Sequence, residues 1–489
     1  MSTADSFERP GGDDDDVAGA LRALFGRDVV YVVLWAVQLV AAALVTPIVT
    51  RLLDVDAYGL VVTANSVMQI LFLVFGLGLA QALQREYARN DDHRAAERLV
   101  AVGLVAATVG TMCGLLLAPW AAAALGIQAA PLQLAVVWAG LSAATNTGLA
   151  LLRSQDRLVP FAFVSLFQSV VAEAISLLLV AFVADTATMF ILGQAGAQVI
   201  ALVGAIWLGG VSRLRRDDRG LVRRALRFGV PLVPAMLSVF VLDTSDRLLI
   251  TALQGPGAVA RYQVAYNVGA LPMLLLGLLN TSWMPRIFTF TDHTRRAAVL
   301  AASRDVLYRL LVPTLVGMAA GAPLVLRLWA PSSYDPDDLL LVNAVVLLCA
   351  VPFAAGLSWT RALMAAGSTK FLALAQGGAA VVNVLLNLLL LPWLGLVGAA
   401  LSTLVAFVVL TLVLGKGARW TTPVPRTPRS LLLTLCLACV ATVALALVPT
   451  SSWWVPRALI VATTLLAFGY LLLRAPARAT ERRPAGGRA

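Results

Sequence analysis

The sequence predicts an all-α polytopic membrane protein with about 14 transmembrane helices, read as two six-helix lobes in a parallel repeat followed by a C-terminal helix pair. Three observations carry this expectation. Of 489 residues, 60% are hydrophobic and only 13% charged, too few polar groups to cover a water-facing surface. Apolar runs of about 20 residues, the length that crosses a hydrocarbon core as helix, follow one another through nearly the whole chain. Basic residues collect in alternate connections between these runs, as the positive-inside rule requires of cytoplasmic loops.

Residues 1–28 read as a cytoplasmic tail. Asp13 to Asp16 form an acidic run where a signal peptide needs a basic region, and no small-residue cleavage site follows the first apolar run. The first six spans are Val29 to Leu53, Leu60 to Leu83, Leu99 to Ala118, Leu132 to Leu152, Phe161 to Ala184 and Thr188 to Val211, giving an N-terminal lobe over 29–212. The basic stretch 213–227 links it to a C-terminal lobe over 228–415. That lobe holds Phe228 to Ala252, Val259 to Met284, Val306 to Trp329, Leu339 to Met364, Phe371 to Leu391 and Leu394 to Leu414. A Pro-rich loop over 416–430 precedes the last pair, Leu431 to Val448 and Val455 to Leu473, and 474–489 form a basic tail.

Of the 37 Lys and Arg residues, all but five fall in the tails and even-numbered connections. Arg51, Arg261, Arg327 and Arg457 sit at the opposite ends, and Arg247 lies within a span. Both termini are therefore expected in the cytoplasm of a bacterium, with the chain in its cytoplasmic (inner) membrane. No outer connection is long enough for a folded domain.

The net charge of +11 would suggest nucleic acid if it formed one patch, but here it punctuates apolar runs and no nucleic-acid partner is expected. Cys436 and Cys439 make a CxxC inside a span with no second ligand pair, so they read as packing residues. There is no GxxxxGK[ST] loop and no HExxH, and His93 and His293 are the only histidines; ATP hydrolysis, zinc chemistry and any cofactor are unsupported, and no enzymatic activity is expected.

Local similarities suggest the repeat. Tyr58-Gly59-Leu60 opens span 2 and Tyr262-Gln263-Val264 opens span 8, Arg85 and Arg286 close those two spans, and Leu151 to Arg157 follows span 4 much as Ala362 to Lys370 follows span 10. An even number of spans per unit leaves both units in the same orientation.

Several motifs point further. Thr50-Arg51-Leu52-Leu53, Asp56-Ala57-Tyr58-Gly59-Leu60, Gly76-Leu77-Gly78-Leu79 and Gln84-Arg85-Glu86-Tyr87 stand in the first lobe. Leu226 to Pro234, Thr244-Ser245-Asp246-Arg247 and Ala260-Arg261-Tyr262 open the second. Together they resemble the polysaccharide transporter (Wzx-type flippase) family of the multidrug/oligosaccharidyl-lipid/polysaccharide exporter superfamily. The resemblance implies two lobes around a central cavity, alternating access, and a lipid-linked oligosaccharide as substrate, with membrane lipids around it and polysaccharide polymerase and glycosyltransferases as working partners. A lipid II flippase or a multidrug/cation antiporter of the same superfamily is the alternative. A membrane polymerase or ligase needs a large outer loop that is absent.

Ionisable groups inside a span are costly unless paired or hydrated, so they are the best candidate site residues. Glu173 lies in span 5. Asp243, Asp246 and Arg247 share one face of span 7 at i, i+3 and i+4, about 27 Å from its inner end to Asp246 at 1.5 Å per residue. A self-neutralising Asp243–Arg247 ion pair and an Arg247 that meets a phosphate are both open readings. For Glu173 they are a satisfied carboxyl and a proton- or sodium-coupling group. Arg51, Arg85 and Arg286 mark span ends; they read as topology or headgroup residues, with a subset expected to line the cavity mouth and hold diphosphate, for which arginine is suited. Asn383, Asn387 and other amides within spans read as helix-packing or sugar-binding groups.

Overall fold

The structure is a computed structural model that describes residues 38, 44–89, 93–210, 218–277, 280, 293–421, 424–450 and 453–481. Among them every regular element is helical and no strand occurs. The helices are α1 Val55–Gly76, α2 Leu79–Arg89, α3 His93–Leu125, α4 Ala129–Ser154, α5 Leu158–Phe182, α6 Ala187–Gly209, α7 Arg219–Gly229 and α8 Val233–Gln254. Then come α9 Pro256–Gly269, α10 His293–Trp329, α11 Leu340–Ala365, α12 Thr369–Thr421, α13 Arg429–Leu447 and α14 Trp454–Glu481.

Eleven helical segments among the described residues are long and apolar enough to cross a membrane. The other runs expected from sequence meet three circumstances. Only 38 and 44–52 of the first are described as helix, the described part of the eighth ends at 277 and 280, and the eleventh and twelfth meet within α12 across a kink. Gly395, at φ 58° and ψ −143°, interrupts α12 close to the expected boundary. An added Cβ on Gly398 would collide with the Leu390 carbonyl, so the two halves turn back on each other tightly.

Two helix boundaries differ from the sequence reading. Leu60 to Leu83 was expected as one span, yet it breaks after Gly76, where Leu77 and Gly78 take positive φ of 48° and 65°. Apolarity is continuous through the break and so conceals it. The cause lies across the molecule, because a Cβ on Gly78 would strike the Gly229 carbonyl and one on Gly229 would strike that of Leu77. Two main chains meet where only glycine fits. The seventh span was expected to start at Phe228, but α7 already begins at Arg219 inside the basic stretch. It is amphipathic: Leu221 and Ala225 are buried against Leu79, Leu83, Ala96 and Leu99. A 3₁₀ turn at Val230–Leu232 containing Pro231 then leads into α8.

The halves are joined along α1, which lies antiparallel to α8. Besides the Gly78–Gly229 approach, Gly59 at the other end of α1 packs so tightly that a Cβ would collide with the Pro256 carbonyl. Between them Thr63 Oγ1 and Thr251 Oγ1 share a hydrogen bond of 2.7 Å, both side chains fully buried. The bundle thus has a Tyr58 end, near Gly59 and Pro256, and an Arg85 end, near Gly78 and Gly229.

The last two helices pack on α10 in the C-terminal half. Arg457 of α14 is 2% exposed and bonds main chain rather than a carboxylate. Its Nη1 donates to the carbonyls of Ala319 (3.3 Å) and Ala320 (3.4 Å), and Nη2 to those of Leu445 and, at 3.1 Å, Val448. Pro323 has no N–H to offer Ala319 four residues earlier, and the guanidinium supplies the missing donor. Arg457, expected from sequence as a charge at an outer span end, is a structural hook.

Candidate functional site

At the centre of the candidate site is a buried network on α8 and α9. Asp246 is 1% and Arg247 6% exposed, and their side chains form an ion pair of 2.7 Å between Asp246 Oδ1 and Arg247 Nη1. The second carboxylate oxygen, Oδ2, accepts from the Tyr262 hydroxyl at 2.6 Å. Arg247 Nε donates to Gln263 Oε1 at 3.1 Å, and Nη1 also reaches the Asp243 main-chain carbonyl. The guanidinium carbon stands 3.9 Å from the centroid of the Tyr266 ring and 5.6 Å from that of Tyr262. Pairing, donated hydrogen bonds and aromatic faces together compensate the desolvation of the charge.

Helical geometry makes this possible. Tyr262, Gln263 and Tyr266 lie at i, i+1 and i+4 on α9, so they present one side towards α8. Gln263 Nε2 in turn donates to Asn267 Oδ1 at 2.6 Å, and Asn267 Nδ2 to Thr46 Oγ1 at 3.3 Å. The network therefore runs from the second half of the chain into the helical stretch 44–52 of the first. The DR motif was visible in sequence, and Tyr262 with it. Gln263, Tyr266 and Asn267 were missed as network members, although Tyr266 and Asn267 follow Tyr262 and Gln263 at the helical spacing of four.

Of the two open readings for Asp243 and Arg247, a mutual side-chain ion pair is not what forms: Arg247 pairs with Asp246, its sequence neighbour. Asp243, one turn away, is exposed, and its carboxylate accepts no hydrogen bond among the described residues.

Glu173 follows a π-helical turn at Phe167–Val171 inside α5, a local widening often found at functional positions. Its carboxyl lies beside the amide of Gln194 on α6 and within electrostatic reach of Tyr58 on α1, whose hydroxyl lies beside Thr46. Glu173 Oε2 and Gln194 Nε2 are nevertheless both buried without a hydrogen-bond partner. Thr46 thus adjoins both clusters, one in each half of the chain.

The arginines expected at span ends are distributed differently. Arg51 donates to the carbonyls of Pro47 and, at 2.9 Å, Leu328, tying the 44–52 stretch to the end of α10. Thr50 does the same through Trp329 O at 2.8 Å. Arg85 lies at the opposite end of the bundle with its guanidinium 4.4 Å from the Phe228 ring centroid. Arg286 lies outside the described residues. The structure thus gathers Asp243, Asp246 and Arg247, sets Glu173 beyond Tyr58, and separates Arg51 from Arg85.

The Tyr58 end is closed by contacts between the halves. Tyr58 meets Tyr334 edge-on with centroids 6.2 Å apart. Nearby, within the second half, Arg261 pairs with Asp335 at 2.9 Å. Asn383 and Asn387, both fully buried, bond Ser245, Thr403 and each other, so they hold α8 and the two halves of α12 together. No group of three or more His, Cys, Asp or Glu side chains suited to a metal occurs among the described residues.

The described residues thus form a multi-pass helical bundle with a buried ion-pair network between α8 and α9. The structure of an inward-facing multidrug resistance MATE family transporter of the MOP superfamily is similar with a TM-score of 0.64 at 15% identity, over 78% of this chain and 94% of that one. The lipid II flippase MurJ in an inward closed conformation is similar with a TM-score of 0.68 at 13% identity, over 90% and 99%. An outward-facing MATE family transporter gives 0.54 at 16% identity, over 80% and 93%. No curated protein matches. The family model described as "Polysaccharide biosynthesis protein" matches residues 27–291, and the chain belongs to that family.

Proposed function

We propose that this protein flips undecaprenyl-diphosphate-linked, or similar polyprenyl-linked, oligosaccharide units from the inner to the outer leaflet of a bacterial cytoplasmic membrane by alternating access. The observation that carries the reading is the match to the polysaccharide biosynthesis family on a bundle folded like MATE and MurJ transporters. The basic connections orient the Arg85 end and both termini towards the cytoplasm. The closed Tyr58 end is then the outer side, and substrate arrives from the inner leaflet.

An exposed aspartate on a membrane-spanning helix faces water rather than lipid, because a charge in hydrocarbon is too costly. Asp243 accordingly lines an aqueous interior, one turn from Arg247. The guanidinium, held by Asp246, Gln263 and Tyr266, is fixed before any ligand arrives, so little ordering cost remains when it meets an anionic diphosphate. With the interior of the cell negative, each anionic charge moved outward gains about 2.3 kcal/mol per 100 mV, which drives export. Glu173 is the candidate for proton or sodium coupling. Arg51 acts at the closed end and Arg85 at the loading end, with Arg286 as its counterpart in the second half. Glycosyltransferases supply the substrate and a polymerase consumes the product.

Deletion of the gene followed by analysis of lipid-linked glycans tests this. Completed units accumulating on the inner leaflet support the proposal. Accumulation of lipid II there replaces the substrate class, and accumulation of short units on the outer leaflet points to a polymerase instead.

A further inference from the structure

We propose that α7 is a binding surface for anionic phospholipid headgroups of the leaflet bordering the Arg85 end. The helix has two unlike faces. Leu221 and Ala225 are buried against α2 and α3, whereas Arg219, Arg223 and Arg227, at i, i+4 and i+8, are all exposed. Successive positions in that series differ by about 40° around the axis, so the three arginines form one row.

Neighbouring charges are already matched. Asp218 pairs with Arg98 at 3.0 Å, and Glu86 with Arg224 at 3.4 Å. These contacts, with Arg85 over Phe228, fasten α7 against α2 and α3. Among the described residues no carboxylate pairs with Arg219, Arg223 or Arg227, so the row keeps its full charge.

Position supplies the partner. Only the short turn Val230–Leu232 separates α7 from α8, a segment apolar enough to cross the membrane. Arg227, at the near end of the row, therefore stands at the membrane border, where basic amphipathic helices meet lipid phosphates. Guanidinium groups match phosphate geometry and hydrogen-bond it in pairs. From Arg219 to Arg227 the row extends about 12 Å, longer than a single phosphate and suited to more than one headgroup. Because α7 is clasped by the first half of the chain and continuous with α8 of the second, bound lipid grips the protein at the joint between them.

The test uses the full-length chain in nanodiscs of phosphatidylcholine containing phosphatidylglycerol, with retained phosphatidylglycerol counted by native mass spectrometry. No polyprenyl lipid is present, so the result is independent of the transport reading. The triple variant R219Q/R223Q/R227Q is expected to lose phosphatidylglycerol affinity by about a hundredfold, each arginine contributing roughly fivefold. A control with the same charge removed elsewhere, R94Q/K370Q/K416Q, is expected to retain it. The variant R219K/R223K/R227K, which keeps the charge, is expected to bind within a fewfold of the parent and so separates lost binding from lost folding. Equal loss in the glutamine triple and the control, or no loss in the glutamine triple, overturns the proposal.

Discussion

Tyr262 donates its hydroxyl to Asp246 at 2.6 Å while the other oxygen of the same carboxylate takes Arg247 at 2.7 Å. One buried carboxylate therefore holds a tyrosine of the next helix and an arginine of its own. Replacing Asp246 by Ala strands the Arg247 charge, which in comparable buried pairs costs about 3–5 kcal/mol. Tyr262→Phe removes one hydrogen bond to a charged group, about 1.5–3 kcal/mol. Thermal unfolding in detergent is expected to rank Asp246→Ala well below Tyr262→Phe, and both below the parent. Equal stability of all three would refute the network's structural weight.

The seam between α1 and α8 offers a covalent test of alternating access. Thr63 Oγ1 and Thr251 Oγ1 are 2.7 Å apart, so cysteines at both positions bring two sulfurs within bonding reach. The oxidised double variant T63C/T251C is expected to stop flipping, and reductant to restore it. Undiminished flipping by the crosslinked protein would show that this seam stays shut throughout the cycle.

Glu173 Oε2 and the Gln194 amide nitrogen beside it are both buried without a hydrogen-bond partner, which leaves the carboxylate free to take up a proton or cation. Glu173→Gln keeps the shape and removes the titration. In liposomes the variant is expected to fold normally yet lose the dependence of flipping on an imposed proton or sodium gradient. A gradient dependence identical to the parent's would remove Glu173 from the coupling.

Arg457 carries four hydrogen bonds to main-chain carbonyls, and a lysine cannot span them as the planar guanidinium does. Arg457→Ala is expected to lower unfolding stability by about 2–5 kcal/mol, from orphaned buried acceptors and a cavity. Arg457→Lys should recover only part of that. Proteolysis of the connection before Arg429 reports whether α13 and α14 have come away from α10.

Much of the architecture was legible because lipid imposes it: a span must be apolar for its whole length, and a charge within it stands out. That is why Asp246, Arg247 and Glu173 stand out in the sequence. The break at Leu77 was illegible for the converse reason. Its cause is Gly229, far along the chain, and apolarity does not change across it. The onset of α7 was hidden by its arginines, although Leu221 and Ala225 at i and i+4 carried the signal. Which carboxylate pairs with Arg247 was undecidable from spacing, since Asp243 and Asp246 both reach it. The outcome depends on Tyr262 and Gln263 arriving from α9.

The hook at Arg457 has a consequence for how this chain can change over generations. Its acceptors on α10 are peptide carbonyls, present whatever side chains stand at 319 and 320, and one of them is freed by Pro323. The hydrogen bonds thus ask only one proline of the surface that receives them, and the packing beside them asks a glycine at 317, where a Cβ would collide with Thr464. Helix pairs bearing such an arginine could be gained or exchanged at the end of the chain with few matching substitutions in the bundle, a proline and a glycine foremost among them.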